Sequence, residues 1–153
     1  MLYSSQEFKL ARCRKLNYAE FQFASDFLLG ARYYAGLQKY KMASFHLHQA
    51  AENYLRTIPL VYILYGYKDH ALEILMDRCK THTLQLVSVF PRNTEEERRL
   101  FNLLQDAYVQ ARYNKDFVVT KTDIDALIPR LELMRDITEK VCCDRIAYYE
   151  RQS

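Results

Sequence analysis

The sequence contains few residues that interrupt a helix: of 153 residues, only 3 are glycine and 3 are proline. It also lacks the alternating runs of β-branched residues that are typical of half-exposed strands. A sheet protein is therefore not expected. A chain of this length forms about one domain, and it can bury roughly 68–70% of its unfolded surface, so its core needs no disulfide or metal.

No apolar run in the sequence is long enough to cross a membrane. The most apolar stretch, Ile58–Tyr65, falls well short of the roughly 20 residues that a membrane-spanning helix needs. The first ten residues carry no apolar run of the kind found in a signal peptide. We therefore expect a soluble, cytoplasmic protein with no membrane partner.

The short motifs that identify many metal sites and enzymes are missing. The four cysteines form no Cys-x-x-Cys pair, and the adjacent Cys142 and Cys143 would face different sides of a helix. His46 and His48 are two residues apart, so a helix would point them in different directions. There is no His-Glu-x-x-His, glycine-rich phosphate loop or Gly-x-Ser-x-Gly elbow. We predict free thiols, no metal, no cofactor and no catalytic residue.

An amphipathic pattern is clearest between Met42 and Arg56 and continues to Ile58. Its apolar residues recur every three or four positions, so they form one stripe on a helix. Ala50 and Ala51 lie in the middle of this stripe, where small side chains let a neighbouring helix approach closely. We therefore predict that the other helices pack around this one.

Similar stripes elsewhere predict an all-α, up-and-down bundle of about five helices in a single domain, residues 1–153. Residues 1–17 are polar and basic, and are predicted as an accessory N-terminal arm. The predicted helices cover residues 18–37, 42–58, 70–89, 94–113 and 122–141. The polar residues 80–83 in the middle of the third can break it in two.

Several residues are predicted to mark where helices begin or end. Thr94 followed by Glu97 is typical of a capping box, in which each side chain bonds the other's backbone amide. Asp69 and Thr122 are also predicted N-caps, as are Ser4 and Ser5 for the arm. Pro59 is predicted to kink or end its helix. The apolar run after it either continues as a buried, bent helix or lies at a subunit contact. Gly36 is predicted to end the preceding helix.

Candidate binding residues cluster near the end of the fourth predicted helix. The net charge of +3 permits contact with a phosphate without demanding it. Arg112, beside Lys115 and the aromatic Tyr113, can bind a phosphate, or Arg112 can instead pair with the carbonyl end of its own helix. His70, at a predicted helix start, can donate to a ligand or simply cap or pack.

Gln49 and Glu52 border the central stripe. They can form a buried polar pair that faces a second copy of the chain, or they can be ordinary residues of the helix face. The sequence pattern leaves both interpretations open.

Four stretches in order along the chain resemble the HEPN domain family: residues 45–55 (FHLHQAAENYL), 66–75 (GYKDHALEIL), 89–97 (VFPRNTEEE) and 103–113 (LLQDAYVQARY). The branch it resembles is often fused to, or encoded beside, a small nucleotidyltransferase. The resemblance implies a dimeric, all-α module that binds nucleotides or RNA. It also implies that members which cut RNA without a metal use an arginine followed, after four to six residues, by a histidine.

This sequence departs from that ribonuclease pattern, because no histidine occurs in the seven residues after Arg112. We therefore predict a non-catalytic module that binds a nucleotide or a nucleotidyltransferase partner and forms a homodimer through the helix carrying Gln49 and Glu52. Two alternatives remain: a toxin-like ribonuclease that uses His70 or His82, and a structural dimerisation domain of a larger enzyme. The predicted ligand-binding residues are Arg112, Tyr113, Lys115, His70, Glu52 and Gln49.

Overall fold

A computed structural model describes residues 5–152, with side chains described from Ala11 onward except that of Leu16. These residues form five helices and no strand, which confirms the predicted all-α bundle. None of the helices is both long and apolar enough to span a membrane. The helices are α1 (Ser5–Gly36), α2 (Tyr40–Ile63), α3 (Leu72–Lys80), α4 (Glu95–Tyr113) and α5 (Lys121–Gln152).

Helix α1 runs without interruption through the segment that was predicted as a separate arm. The sequence there contains leucine, lysine and arginine, which all favour a helix, and no glycine or proline. Cys13 is fully buried, and its thiol donates a hydrogen bond to the carbonyl of Val61. This part of α1 is therefore packed against α2. The predicted cap Ser4 lies outside the described residues, and Ser5 is already helical.

The end of α1 is confirmed at Gly36, and a short turn leads into α2. Gln38 adopts the left-handed conformation, with φ of 61°, and its amide donates to the carbonyl of Ala35. A turn this short places α2 antiparallel to α1.

Helix α2 occupies the centre of the bundle and contacts all four other helices. Its middle is buried on nearly every side from Ala43 to Val61. Pro59 lies inside the helix, which continues to Ile63, so the proline does not end it. Leu60 and Val61 are buried, whereas Ile63 is 50% exposed, so only the start of the apolar run continues as a buried helix. Leu64 ends the helix in the left-handed conformation, and its amide donates to the carbonyl of Leu60.

Helix α3 is much shorter than the predicted 70–89, since it covers only Leu72–Lys80. The amides of His82 and Thr83 both donate to the carbonyl of Cys79, and the Thr81 hydroxyl bonds to the carbonyl of Arg78. The bond of the Thr81 hydroxyl and the three-residue spacing of the His82 bond tighten the chain here, where the α-helix ends. The predicted cap Asp69 is also wrong: the N-cap residue is Ala71, which makes no side-chain cap bond.

The capping box at the start of α4 is confirmed. The amide of Glu97 donates to the Thr94 hydroxyl, and the Thr94 amide donates to the Glu97 carboxylate. Helix α5 begins at Lys121, one residue before the predicted range. The Asp123 amide donates to the hydroxyl of Thr120, and the Thr120 amide donates to the Asp123 carboxylate. Thr120 is therefore the cap, whereas Thr122 is an exposed residue of the first turn.

Replacing Thr120 with alanine is expected to lower the free energy of unfolding by about 1 kcal/mol, because the first turn of α5 loses its cap. The matched variant Thr122→Ala should change it by less than about 0.5 kcal/mol. Urea unfolding followed by circular dichroism measures both values. A larger loss in Thr122→Ala would contradict the assignment of the cap.

The core follows the stripes predicted from the sequence and surrounds α2. Cys79, Cys142 and Cys143 are free thiols, and the first two of these are buried, as is Cys13. Burial raises the pKa of the Cys79 thiol to about 12, which keeps it protonated and unreactive. The largest fully buried side chains are Tyr54, Leu47, Leu55, Ile58, Leu72, Leu75, Leu104, Ile124, Leu127, Leu131, Met134 and His48.

Candidate functional site: a buried carboxylate beneath an aromatic and cationic surface

Glu52 is the centre of a polar cluster between α2 and the loop of residues 64–71. Its side chain is only 2% exposed. One carboxylate oxygen, Oε1, forms an ion pair with Nη1 of Arg56 at 2.6 Å and accepts a hydrogen bond from Nδ1 of His70 at 3.0 Å. The other, Oε2, accepts from the amide of Gln49 at 3.4 Å. One cation and two hydrogen-bond donors therefore surround one buried carboxylate, which compensates for its loss of water.

The same cluster attaches the loop to α2. Nη2 of Arg56 donates to the backbone carbonyl of Asp69 at 2.7 Å, and Nε2 of the buried His48 donates to the carbonyl of His70 at 3.0 Å. His70 is therefore held at its backbone and at its Nδ1 atom, although half of its side chain is exposed.

Burial sets the protonation of the cluster. It lowers the pKa of His48 to about 4, so this imidazole is neutral at physiological pH. The Gln49 amide donates to Nδ1 of His48 at 3.3 Å, which assigns the proton of His48 to Nε2. Burial also raises the pKa of Glu52, against the opposing effect of the Arg56 guanidinium. Because His48 carries no charge, Arg56 is the main cation that balances Glu52.

The depressed pKa of His48 predicts a loss of stability in acid. Between pH 6.5 and 4 the unfolded chain protonates this histidine and the native chain does not, so the free energy of unfolding falls as the pH falls. From pH 7 to pH 5 this histidine should contribute a loss of about 2 kcal/mol. Urea unfolding of the wild type and of His48→Gln at both pH values measures the contribution. Parallel pH dependences in the two proteins would contradict it.

An aromatic surface covers the cluster, and the ring of Tyr108 on α4 is its centre. The His70 ring stacks on Tyr108 with 4.5 Å between centroids and 13° between planes. The guanidinium of Arg112 lies over the same ring at 4.3 Å, and over the rings of Tyr113 and Phe45 at 4.9 and 5.3 Å. We call these five residues, Phe45, His70, Tyr108, Arg112 and Tyr113, the Tyr108 platform.

Arg112 is exposed, although its position is fixed. Its Nε atom donates to the backbone carbonyl of Tyr108 at 2.7 Å, as in the alternative in which it pairs with the end of its own helix. The surrounding rings restrict the guanidinium further by cation–π contacts. A fixed, planar and exposed guanidinium is well suited to bind a phosphate.

The structure brings most of the predicted site residues together. Arg112, Tyr113 and His70 belong to the platform. Glu52 is joined to it by the hydrogen bond that His70 donates, and Gln49 donates to Glu52. One aspect of the prediction is wrong: Glu52 points into its own chain and cannot present its carboxylate to a second copy. Lys115 is exposed in the loop after α4, and no described contact joins it to the platform.

Four residues of the site were not predicted: Phe45, His48, Arg56 and Tyr108. A signal for two of them is present in the sequence, since His48, Glu52 and Arg56 recur at intervals of four and share one side of a helix. Tyr108 and Arg112 have the same spacing. Tyr108 belongs to the apolar stripe of its helix, a pattern that by itself indicates a core residue and not a site residue.

The arrangement places the Arg112 guanidinium and the hydrogen-bonded imidazole of His70 on one aromatic ring, a combination suited to an anionic, aromatic ligand. Among the described residues, no three histidine, cysteine or acidic side chains are placed to hold a metal ion. The described residues thus form an all-α bundle with a polar site between its central helix and α4.

Comparison of the sequence with models of known protein families identifies its family. The HEPN domain matches residues 20–141, which is most of the chain. The chain belongs to the HEPN family, and this membership supports a module related to nucleotides or RNA. No curated protein matches the sequence.

Proposed function

We propose that the chain is a non-catalytic HEPN module that binds the phosphate of a nucleotide or of RNA on the Tyr108 platform. The observation that carries this proposal is the position of Arg112 and His70, which are both held against the ring of Tyr108. The guanidinium supplies charge and paired donors to the phosphate, and the exposed rings offer a surface to a base.

The absence of a histidine after Arg112 supports a binding role. Metal-free cleavage of RNA needs an acid or base at the 2′-hydroxyl and the leaving oxygen, and a cation at the phosphate. In this chain, residues 113–119 contain no histidine that could serve as that group. Arg112 keeps the cationic part of the pattern.

A partner is also part of the proposal. The branch of the family that the chain resembles occurs with small nucleotidyltransferases, so we propose that the module dimerises and acts with such a domain or protein. Light scattering on the purified chain tests the dimer. Stable dimerisation with no binding of any nucleotide or RNA would favour a structural dimerisation domain instead.

One observation favours a second candidate, a ribonuclease. Glu52 accepts a hydrogen bond from Nδ1 of His70, and a carboxylate in this position orients an imidazole for proton transfer through its other nitrogen. His70 shares the Tyr108 ring with Arg112, whereas His82 stacks on Tyr62 near the end of α2. Cleavage of tRNA in the presence of a chelator, lost in both Arg112→Ala and His70→Ala, would establish this function.

Thermal unfolding in the presence of ligands tests the proposal directly. A ligand that binds only the native state raises the midpoint of unfolding, so ATP, GTP and a short RNA are each added at fixed ionic strength. We expect at least one of them to stabilise the protein. No stabilisation by any of the three would contradict binding at the platform.

A further inference from the structure

A groove of about 550 Å³ lies beside the Tyr108 platform, between the turn that joins α1 to α2 and the loop that follows α4. Its volume lies within the range of small-molecule sites. The rings of Tyr40 and Phe117 contribute to its walls, as do the apolar side chains of Met42 and Val118. The polar residues around it include Lys39 and Lys41.

All the charged residues that line this groove are positive. Its lining includes two lysines and no carboxylate. A second open groove of similar size, about 570 Å³, runs along α4 and differs in this respect, because Glu95 and Asp106 line it together with Arg98 and Arg99. Only the first groove therefore combines aromatic walls with uncompensated positive charge, which suits an anion that carries a flat ring.

The groove and Arg112 are close enough to hold one ligand. Ala111 lines the groove, and Arg112 is the next residue on α4. On α2, Lys41 lines the groove, and Phe45, one turn further along, contacts the Arg112 guanidinium. Lys41 in the groove and Phe45 beside Arg112 are therefore about one helical turn, roughly 5.4 Å, apart along α2, and a phosphate chain can extend from one to the other.

We propose that this groove binds the base and ribose of a free nucleoside di- or triphosphate, whose phosphates extend along Lys39 and Lys41 to Arg112. The base stacks on Tyr40 or Phe117, and three cations offset most of the negative charge of the phosphate chain. This inference rests on the proposed function, because it uses the same arginine, and it specifies a small nucleotide in place of an RNA strand.

Isothermal titration calorimetry with ATP, AMP, tripolyphosphate and a ten-residue oligouridine tests the assignment. We expect ATP to bind at least about tenfold more tightly than AMP, which has fewer phosphates, and than tripolyphosphate, which has no base to stack. The variant Val118→Asp places a carboxylate in the groove at a side chain that is 73% exposed, so the fold should be retained. It should weaken ATP binding about tenfold or more. Val87→Asp makes the same change at an exposed position outside the groove and should bind ATP as the wild type does.

The outcomes separate the groove from the platform. If tripolyphosphate binds as tightly as ATP, or if Val118→Asp and Val87→Asp bind ATP equally, the groove assignment is wrong and phosphate binding at Arg112 stands. Binding of the oligouridine without binding of ATP leads to the same conclusion. If none of the four ligands binds, both proposals fail.

Discussion

Replacing Glu52 with alanine is expected to lower the free energy of unfolding by about 3 kcal/mol. The carboxylate is 2% exposed and the side chain of its partner Arg56 is only 18% exposed, so the variant leaves a largely buried guanidinium without its counter-charge. Loss of one member of a buried pair typically costs about 3–5 kcal/mol. Since part of Arg56 reaches water, we expect the lower end of that range.

The measurement is urea unfolding at pH 8. Because burial raises the pKa of Glu52, a pH well above the usual range keeps this carboxylate ionised and its pair with Arg56 intact in the wild type. Glu132→Ala is the matched control, because Glu132 pairs with Arg32 at 2.9 Å while its side chain is 39% exposed. Such surface pairs contribute about 0–1 kcal/mol. An equal fall in the free energy of unfolding in the two variants would show that the burial of Glu52 does not strengthen its contribution to stability.

The helices could be predicted because their signals are local. Periodic apolar residues and the Thr94 capping box act within a few positions, and they indicate the same structure that packing later selects. The errors occurred where two local signals compete. Thr120 and Thr122 are both good caps, and the choice between them depends on Asp123, which also pairs with Arg99 on α4.

The site was less predictable, because its main contacts join distant parts of the chain. Nothing in the pattern around Tyr108 indicates that His70, from a loop 38 residues earlier, stacks on its ring. The bond from His48 to the His70 backbone likewise depends on how the loop of residues 64–71 folds over α2. Arg112 and Tyr113 could be identified because they lie side by side at a helix end, where the sequence itself places them together.

The depth of the cluster also explains why Gln49 and Glu52 were assigned to an interface. On a helix surrounded by four others, residues beside the apolar stripe become buried as well. The spacing of apolar residues does not indicate how many helices pack around a helix, so this burial could not be predicted from it. Glu52 is tolerated there because Arg56 follows it by one turn. His48, Glu52 and Arg56 on α2 thus attach the loop of residues 64–71, and this loop carries the half-exposed His70.

Replacing Arg112 with alanine is expected to weaken nucleotide binding roughly 10- to 100-fold. A hydrogen bond to a charged group contributes about 1.5–3 kcal/mol, and each 1.4 kcal/mol corresponds to a factor of ten in affinity. Calorimetry with ATP measures the change. Stability should fall by less than about 1 kcal/mol, since the arginine is exposed and loses only cation–π contacts and one bond to a carbonyl.

Two further variants distinguish a specific contact from general attraction. Arg98 lies on the same helix, is exposed, and also donates to a backbone carbonyl, that of Arg92. Arg98→Ala removes the same charge and should leave the affinity within about twofold of the wild type, because exposed charges more than about 10 Å apart are screened at 0.1 M salt. Arg112→Lys keeps the charge but not the planar fork, and should recover only part of the affinity. If Arg98→Ala weakens binding as much as Arg112→Ala, the affinity depends on the net charge of the protein, and the Tyr108 platform is not the binding site.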